Sequence, residues 1–127
     1  MEAHQKQITV YSNHTESAPV IYLPVVVGDG SEVYECCREL DCPPFTLVTI
    51  GGLDWNRELS PWACDGTVRD AEPFGGQAAS FLDELLSQII QQVELSLPQP
   101  PVWRGIAGYS LAGLFALWAL WQTNAFD

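Results

Sequence analysis

The sequence predicts an α/β fold of three layers, α/β/α, around a mainly parallel sheet. Three observations carry that expectation. Strand-like and helix-like segments alternate along the chain. Residues 20–27 and 45–50 are apolar at almost every position instead of every second one, the pattern of strands covered on both faces. Residues 77–97 place their apolar side chains at gaps of one, three and four, which defines one continuous helix face.

Each element has a local reason. Residues 8–11 are a short β-prone piece, and the polar stretch 12–18 breaks it. The run 20–27 ends at Gly28-Asp29-Gly30, and Pro24 within it marks an end of pairing or a bulge, because proline cannot donate to a ladder. Residues 31–40 read as a helix with Val33, Tyr34, Cys37 and Leu40 at helical spacing, Ser31 as cap, and Glu32 and Glu35 near its positive end. Cys42-Pro43-Pro44 is punctuation before the strand 45–50, which Gly51-Gly52 stops. The stretch 53–76 has no sustained period, and a connection that long in a small chain is commonly functional. The helix 77–97 ends in Pro98-Gln99-Pro100-Pro101. A strand at 102–109 and an apolar helix at 111–121 follow.

At 127 residues and 14.0 kDa the chain has the size of one domain, 1–127. Hydrophobic residues make up 47% and charged residues 17%, a balance that excludes disorder as the main character. The formal net charge of -11 repels phosphate backbones and anionic lipid, so neither nucleic acid nor membrane is an expected partner. No apolar run approaches the ~20 residues of a membrane span. Residues 1–10 carry no basic-then-apolar signal pattern, and a cytoplasmic location is expected. Cys36, Cys37, Cys42 and Cys64 contain no C-x-x-C pair, and the two histidines, His4 and His14, lie far upstream. No metal site and no cofactor are expected, and the cysteines read as small buried or half-buried thiols.

The most informative segment is Gly108-Tyr109-Ser110-Leu111-Ala112, followed by Gly113. It fits the G-x-S-x-G nucleophile elbow with Ala at the last place, and it falls between a buried strand and an apolar helix. A serine hydroxyl is a weak nucleophile, so it must be held on a sharp turn, open to substrate and within reach of a base. Small residues on either side of Ser110 let strand and helix approach closely. The backbone N–H of Leu111 then points from a helix N-terminus toward a developing oxyanion. An ordinary tight turn or helix cap would use the same residue types.

The segment 105–117, from Gly105-Ile106-Ala107 through the elbow to Leu117, resembles the elbow of the esterase D-like and siderophore-esterase-like branch of the α/β-hydrolase superfamily. The resemblance extends upstream through Pro19 to Tyr22, Phe45 to Gly52, the Leu53–Trp62 stretch with its Arg57 and Pro61, and Gly75-Gly76 before an acidic helix. It implies a truncated α/β-hydrolase fold, with Ser110 as catalytic nucleophile and Leu111 N–H as one oxyanion donor. The second donor is implied in Gly28-Asp29-Gly30-Ser31, from Ser31 or Gly30. Arg57, Tyr109 and Trp55 are the implied substrate-binding residues, although a surface salt bridge accounts for Arg57 equally well. The implied partner of the complete protein is a small-molecule ester, whether simple ester, thioester or siderophore lactone.

In that superfamily an acid and then a histidine follow the serine. Here the only acid after Ser110 is Asp127, and no histidine follows. A strand bearing the nucleophile also belongs mid-sheet, so an end at Asp127 is expected to leave its outer edge unpaired and the helix 111–121 partly uncovered. Three readings follow: the N-terminal portion of a serine hydrolase, inactive alone; a binding module that forms a homodimer or swapped assembly through the open edge; or an enzyme of different logic using Cys64 or Asp29 near Ser110.

Overall fold

Four strands of the computed structural model, which describes residues 6–65 and 72–127, form one sheet in the order β1-β3-β2-β6. These are β1 (Gln7–Tyr11), β2 (Val20–Pro24), β3 (Thr46–Gly51) and β6 (Arg104–Ile106). β2 is parallel to both β3 and β6, whereas β1 runs antiparallel to β3, so the sheet is mixed with a parallel centre. The helices are α1 (Ser31–Glu39), α2 (Trp55–Glu58), α3 (Ala78–Glu84), α4 (Ile90–Ser96) and α5 (Leu111–Gln122). A π-helical turn, Leu85–Ile89, joins α3 to α4, and a two-stranded ribbon pairs β4 (Ala63–Cys64) with β5 (Phe74–Gly75).

The layers follow from strand alternation. Val20 and Tyr22 of β2 and Val48 and Ile50 of β3 meet Phe81, Leu85, Ile89 and Val93 of the long helical segment and Phe115 of α5. Leu23, Val25 and Leu47 point to the opposite face, where Tyr34 of α1 joins them. Each face of the central strands thus carries a core cluster, as their mostly apolar runs require. Burial of a residue such as Phe81 or Phe115 contributes about 1.5 to 3 kcal/mol. Tyr34 also stacks on Tyr11 with ring centroids 5.3 Å apart, which ties α1 to β1.

Several expected boundaries shift, each for a physical reason. The strand expected over 20–27 ends at Pro24; only Val25 continues, its N–H donating to the Ile50 carbonyl at 2.9 Å, before the chain turns outward at exposed Val26 and Val27. The strand expected over 102–109 shrinks to Arg104–Ile106, because the chain must leave the sheet early to form the turn before α5. The helix expected over 77–97 contains the π-helical turn but keeps a single buried face. Ser31 does not cap α1. The cap position is Gly30, and Asp29 Oδ1 accepts the Ser31 N–H at 3.0 Å instead. Cys36, Cys42 and Cys64 are exposed and Cys37 is half-buried, so the expectation of buried thiols fails for three of the four.

The outer edge of β6 is only partly open. Arg104 turns its N–H and C=O away from β2, and Asp127 meets both. The Asp127 N–H donates to the Arg104 carbonyl at 2.7 Å, and Asp127 Oδ2 accepts the Arg104 N–H at 3.0 Å. Phe126 is buried in the core beneath this contact. Beside it, Glu94 of α4 receives the Arg104 guanidinium through Nε and Nη2, both at 2.6 Å, and the Tyr22 hydroxyl at 2.9 Å. Burial first, then the Glu94 carboxylate, push the Tyr22 phenol far above its ordinary range. The Arg104 guanidinium is held charged chiefly by its hydrogen bonds to Glu94.

Candidate active site

Ser110 stands between the end of β6 and the first residue of α5, and its backbone has φ 53° and ψ -128°. Positive φ is costly for a residue with a Cβ and persists only where the surroundings enforce it. Two neighbours enforce it here. Gly108 lies so close to the first turn of α5 that a Cβ at that position would strike the Ala112 carbonyl and come within 2.7 Å of the Gly113 nitrogen. A Cβ on Gly113 would in turn meet the Gly108 oxygen at 3.3 Å. The turn therefore requires small residues on both sides of the serine, and it leaves Ser110 exposed. Leu111 opens α5, so its N–H precedes the first intrahelical bonds, which Ala112 and Gly113 make to the Tyr109 carbonyl.

Tyr109 links this corner to two others. Its hydroxyl oxygen accepts the Val26 N–H at 3.2 Å, which ties the elbow to the loop after β2. Its ring lies 5.6 Å from that of Trp55 at the start of α2. The structure thus brings Trp55 to Tyr109, the residue that precedes Ser110. Arg57 does not join them: its guanidinium reaches Asp54 at 3.5 Å, and its stem lies under Gly75. The alternative of a surface ion pair describes Arg57 as it stands.

The loop 28–31 is firmly held. The Asp29 carbonyl accepts hydrogen bonds from Thr49 Oγ1 at 2.7 Å and Tyr11 Oη at 2.8 Å. Gly30 has φ +80°, and a Cβ there would collide with the Thr49 side chain. The Ser31 N–H, which holds the Asp29 carboxyl below its ordinary range, is committed to that carboxylate. Gly30 and Ser31 line an apolar groove of about 870 Å³ together with Gly108 and Tyr109. That groove runs along the α1 face of the sheet past Ile21, Leu23 and Leu47, and Ser110 is not among the residues lining it. It approaches the turn before α5 without including Ser110.

Among the described residues, neither His14 nor Asp127 stands beside Ser110. His14 sits at the N-terminal end of β3, its Nε2 3.4 Å from Thr46 Oγ1, whereas Ser110 follows the C-terminal end of parallel β6. His4 lies outside the described residues. Asp127 is occupied at the start of β6. Among the described residues no cluster of three or more metal-ligating side chains forms, and no helix is long and apolar enough to cross a membrane.

No local sequence pattern marked Val26, Thr49 and Tyr11 as supports of this corner. Thr49 had a faint signal, as a hydroxyl within an otherwise apolar strand.

Comparison with solved structures shows the same fold in proteins described as siderophore hydrolases and as an IroE-like serine hydrolase, each matched over part of its length. Siderophore hydrolase EstA from Aspergillus nidulans superposes with a TM-score of 0.71 at 23% identity, over 96% of this chain and 50% of its own. An IroE-like serine hydrolase from Shewanella oneidensis superposes with a TM-score of 0.75 at 19% identity, over 95% of this chain and 43% of its own. Among curated proteins, the uncharacterized protein YbbA of Bacillus subtilis is 30% identical over 120 residues, 87% of this chain and 46% of its own length. The chain thus spans about half the length of the proteins it matches. No family model matches it.

Proposed function

We propose that this chain supplies the nucleophile-bearing, N-terminal portion of a serine hydrolase acting on carboxylic esters. The observation that carries the reading is the positive φ of Ser110 between β6 and α5, with Gly108 pressed on Ala112. A truncated α/β-hydrolase fold is part of the same reading, supported by neighbours about twice as long.

In the reaction Ser110 Oγ attacks the ester carbonyl carbon while its proton passes to a base, and the carbonyl oxygen becomes an oxyanion that accepts the Leu111 N–H. Collapse expels the alcohol, which takes the proton, and water then releases the acid from the acyl-enzyme. Of the two expected second donors, Gly30 is the better candidate, since the Ser31 N–H is already bonded to Asp29. Trp55 and Tyr109 form an aromatic wall beside the nucleophile. This reading requires a base and an orienting acid outside residues 1–127, and the matched proteins are about twice as long as this chain. Because the solved neighbours include siderophore hydrolases, a siderophore ester or lactone is the first substrate class to assay.

The test compares the 127-residue chain, a version extended to the length of the matched proteins, and Ser110→Ala in each. The extended protein should hydrolyse p-nitrophenyl acetate and bind a fluorophosphonate probe at Ser110, and the short chain should turn over nothing above its Ser110→Ala control. Ser110-dependent turnover by the short chain would sink the view that the base lies beyond it. A second reading, a self-associating module, is favoured by the α5 surface, where Leu117 is 63% and Trp121 87% exposed. A monodisperse dimer in sedimentation, with an extended protein that remains unlabelled, would favour it over the hydrolase.

A further inference from the structure

We infer that Cys37 and Cys42 form a redox-responsive dithiol that closes to an intrachain disulfide across the C-terminal cap of α1. Asp41 has φ 55°, its N–H donates to the Arg38 carbonyl at 3.1 Å, and the Cys42 N–H donates to the Cys37 carbonyl at 3.1 Å. That pair of bonds around a left-handed residue is a Schellman cap, the motif that brings the side chains two places past the cap and three places before it into contact. The contact usually joins two apolar residues. Here both positions are cysteine.

The distance limit is met as well. With standard covalent lengths on either side of a 3.1 Å hydrogen bond, the two Cα atoms lie no more than about 7 Å apart, the separation beyond which a disulfide does not bridge. Both residues line the groove on the α1 face, Cys42 exposed and Cys37 half-buried. Burial and then the adjacent Cys42 thiol push the Cys37 thiol upward, as two thiols facing one another should. Cys42 is therefore the accessible first responder and Cys37 the resolving thiol.

With a small-molecule disulfide such as oxidised glutathione as oxidant, the step balances. The Cys42 thiolate attacks one glutathione sulfur and releases one glutathione thiolate, forming a mixed disulfide. The Cys37 thiolate then attacks Cys42 Sγ and releases the second, so two protein thiols are oxidised and one disulfide is reduced to two thiols. The closed form would pin the α1–β3 junction and the Pro43-Pro44-Phe45 rim of the groove.

The experiment equilibrates the intact chain with reduced and oxidised glutathione, traps free thiols with N-ethylmaleimide and maps the peptides. Trypsin cleaves after Arg38, so the predicted link joins two peptides that separate on reduction. Cys37 and Cys42 should lose alkylation together, one link per chain, while Cys36→Ser leaves the link intact and Cys42→Ser abolishes it. Glutathione spread over Cys36, Cys42 and Cys64 without that link, or a link from Cys42 to Cys36, would overturn the inference.

Discussion

The Tyr109 hydroxyl accepts the Val26 backbone N–H at 3.2 Å, so the residue preceding the serine is fastened to the loop that leaves the neighbouring strand. Removal of that hydroxyl in Tyr109→Phe should release one donor at a cost of about 1 kcal/mol. Amide exchange at Val26 should quicken while exchange at Tyr22 and Leu23, inside β2, stays as it was. Unchanged Val26 protection would show that the loop holds itself.

Gly108→Ala and Gly113→Ala should differ sharply although both add one methyl group. At 108 the methyl meets the Ala112 carbonyl, and a loss of roughly 3 kcal/mol or more is expected from overpacking against backbone. At 113 the tight 3.3 Å contact is offset by alanine's helix preference of about 1 kcal/mol, so urea midpoints should stay near the parent. Equal losses would mean that the elbow is looser than its geometry.

Arg104→Leu should destabilise the chain by roughly 2 to 3 kcal/mol, because it leaves the Glu94 carboxylate with the Tyr22 hydroxyl as its remaining side-chain partner in this cluster. The pair is not fully buried, which places the cost below that of a sealed one. Adding Glu94→Leu should recover part of the loss in a double-mutant cycle by urea unfolding. Full additivity would show that the two side chains act independently.

Lys6 sits between Glu58 at 2.8 Å and Glu84 at 2.9 Å, with only 9% of its side chain exposed. Burial lowers its pKa, and the hydrogen bonds to the two carboxylates more than reverse this, for a net rise above 10.5. A raised value in the folded state means that the stabilisation is complete below the unfolded pKa and is lost as pH climbs through the folded one. The melting temperature should therefore fall in strong alkali, and Lys6→Met should remove that part of the fall.

Much of the fold was legible because burial on both faces writes itself into 20–24 and 46–51 as nearly continuous apolar runs, and because Pro24 ends its strand for a reason visible in its chemistry. The tight turn before α5 was legible because Gly108 is pressed on the Ala112 backbone, a contact that depends on residue size alone. Partnerships formed across the chain left no such local mark. Glu94 and Arg104 look like two ordinary surface charges until α4 is laid beside β6. The π-helical turn at Leu85–Ile89 keeps the same apolar face as a regular helix, so spacing alone does not reveal it. Asp127 reads as a lone acid, and only the folded tail shows it completing the outer side of Arg104.

The pairing of Val20 with both Thr46 and Arg104 also sets the order in which the molecule can assemble. Docking β6 closes a loop about three times longer than docking β3, at roughly 1 kcal/mol more chain entropy. Contacts so distant along the chain form slowly. The β2–β3 pair and its α1 crossover can nucleate early, and the corner that carries Ser110 clicks into place last.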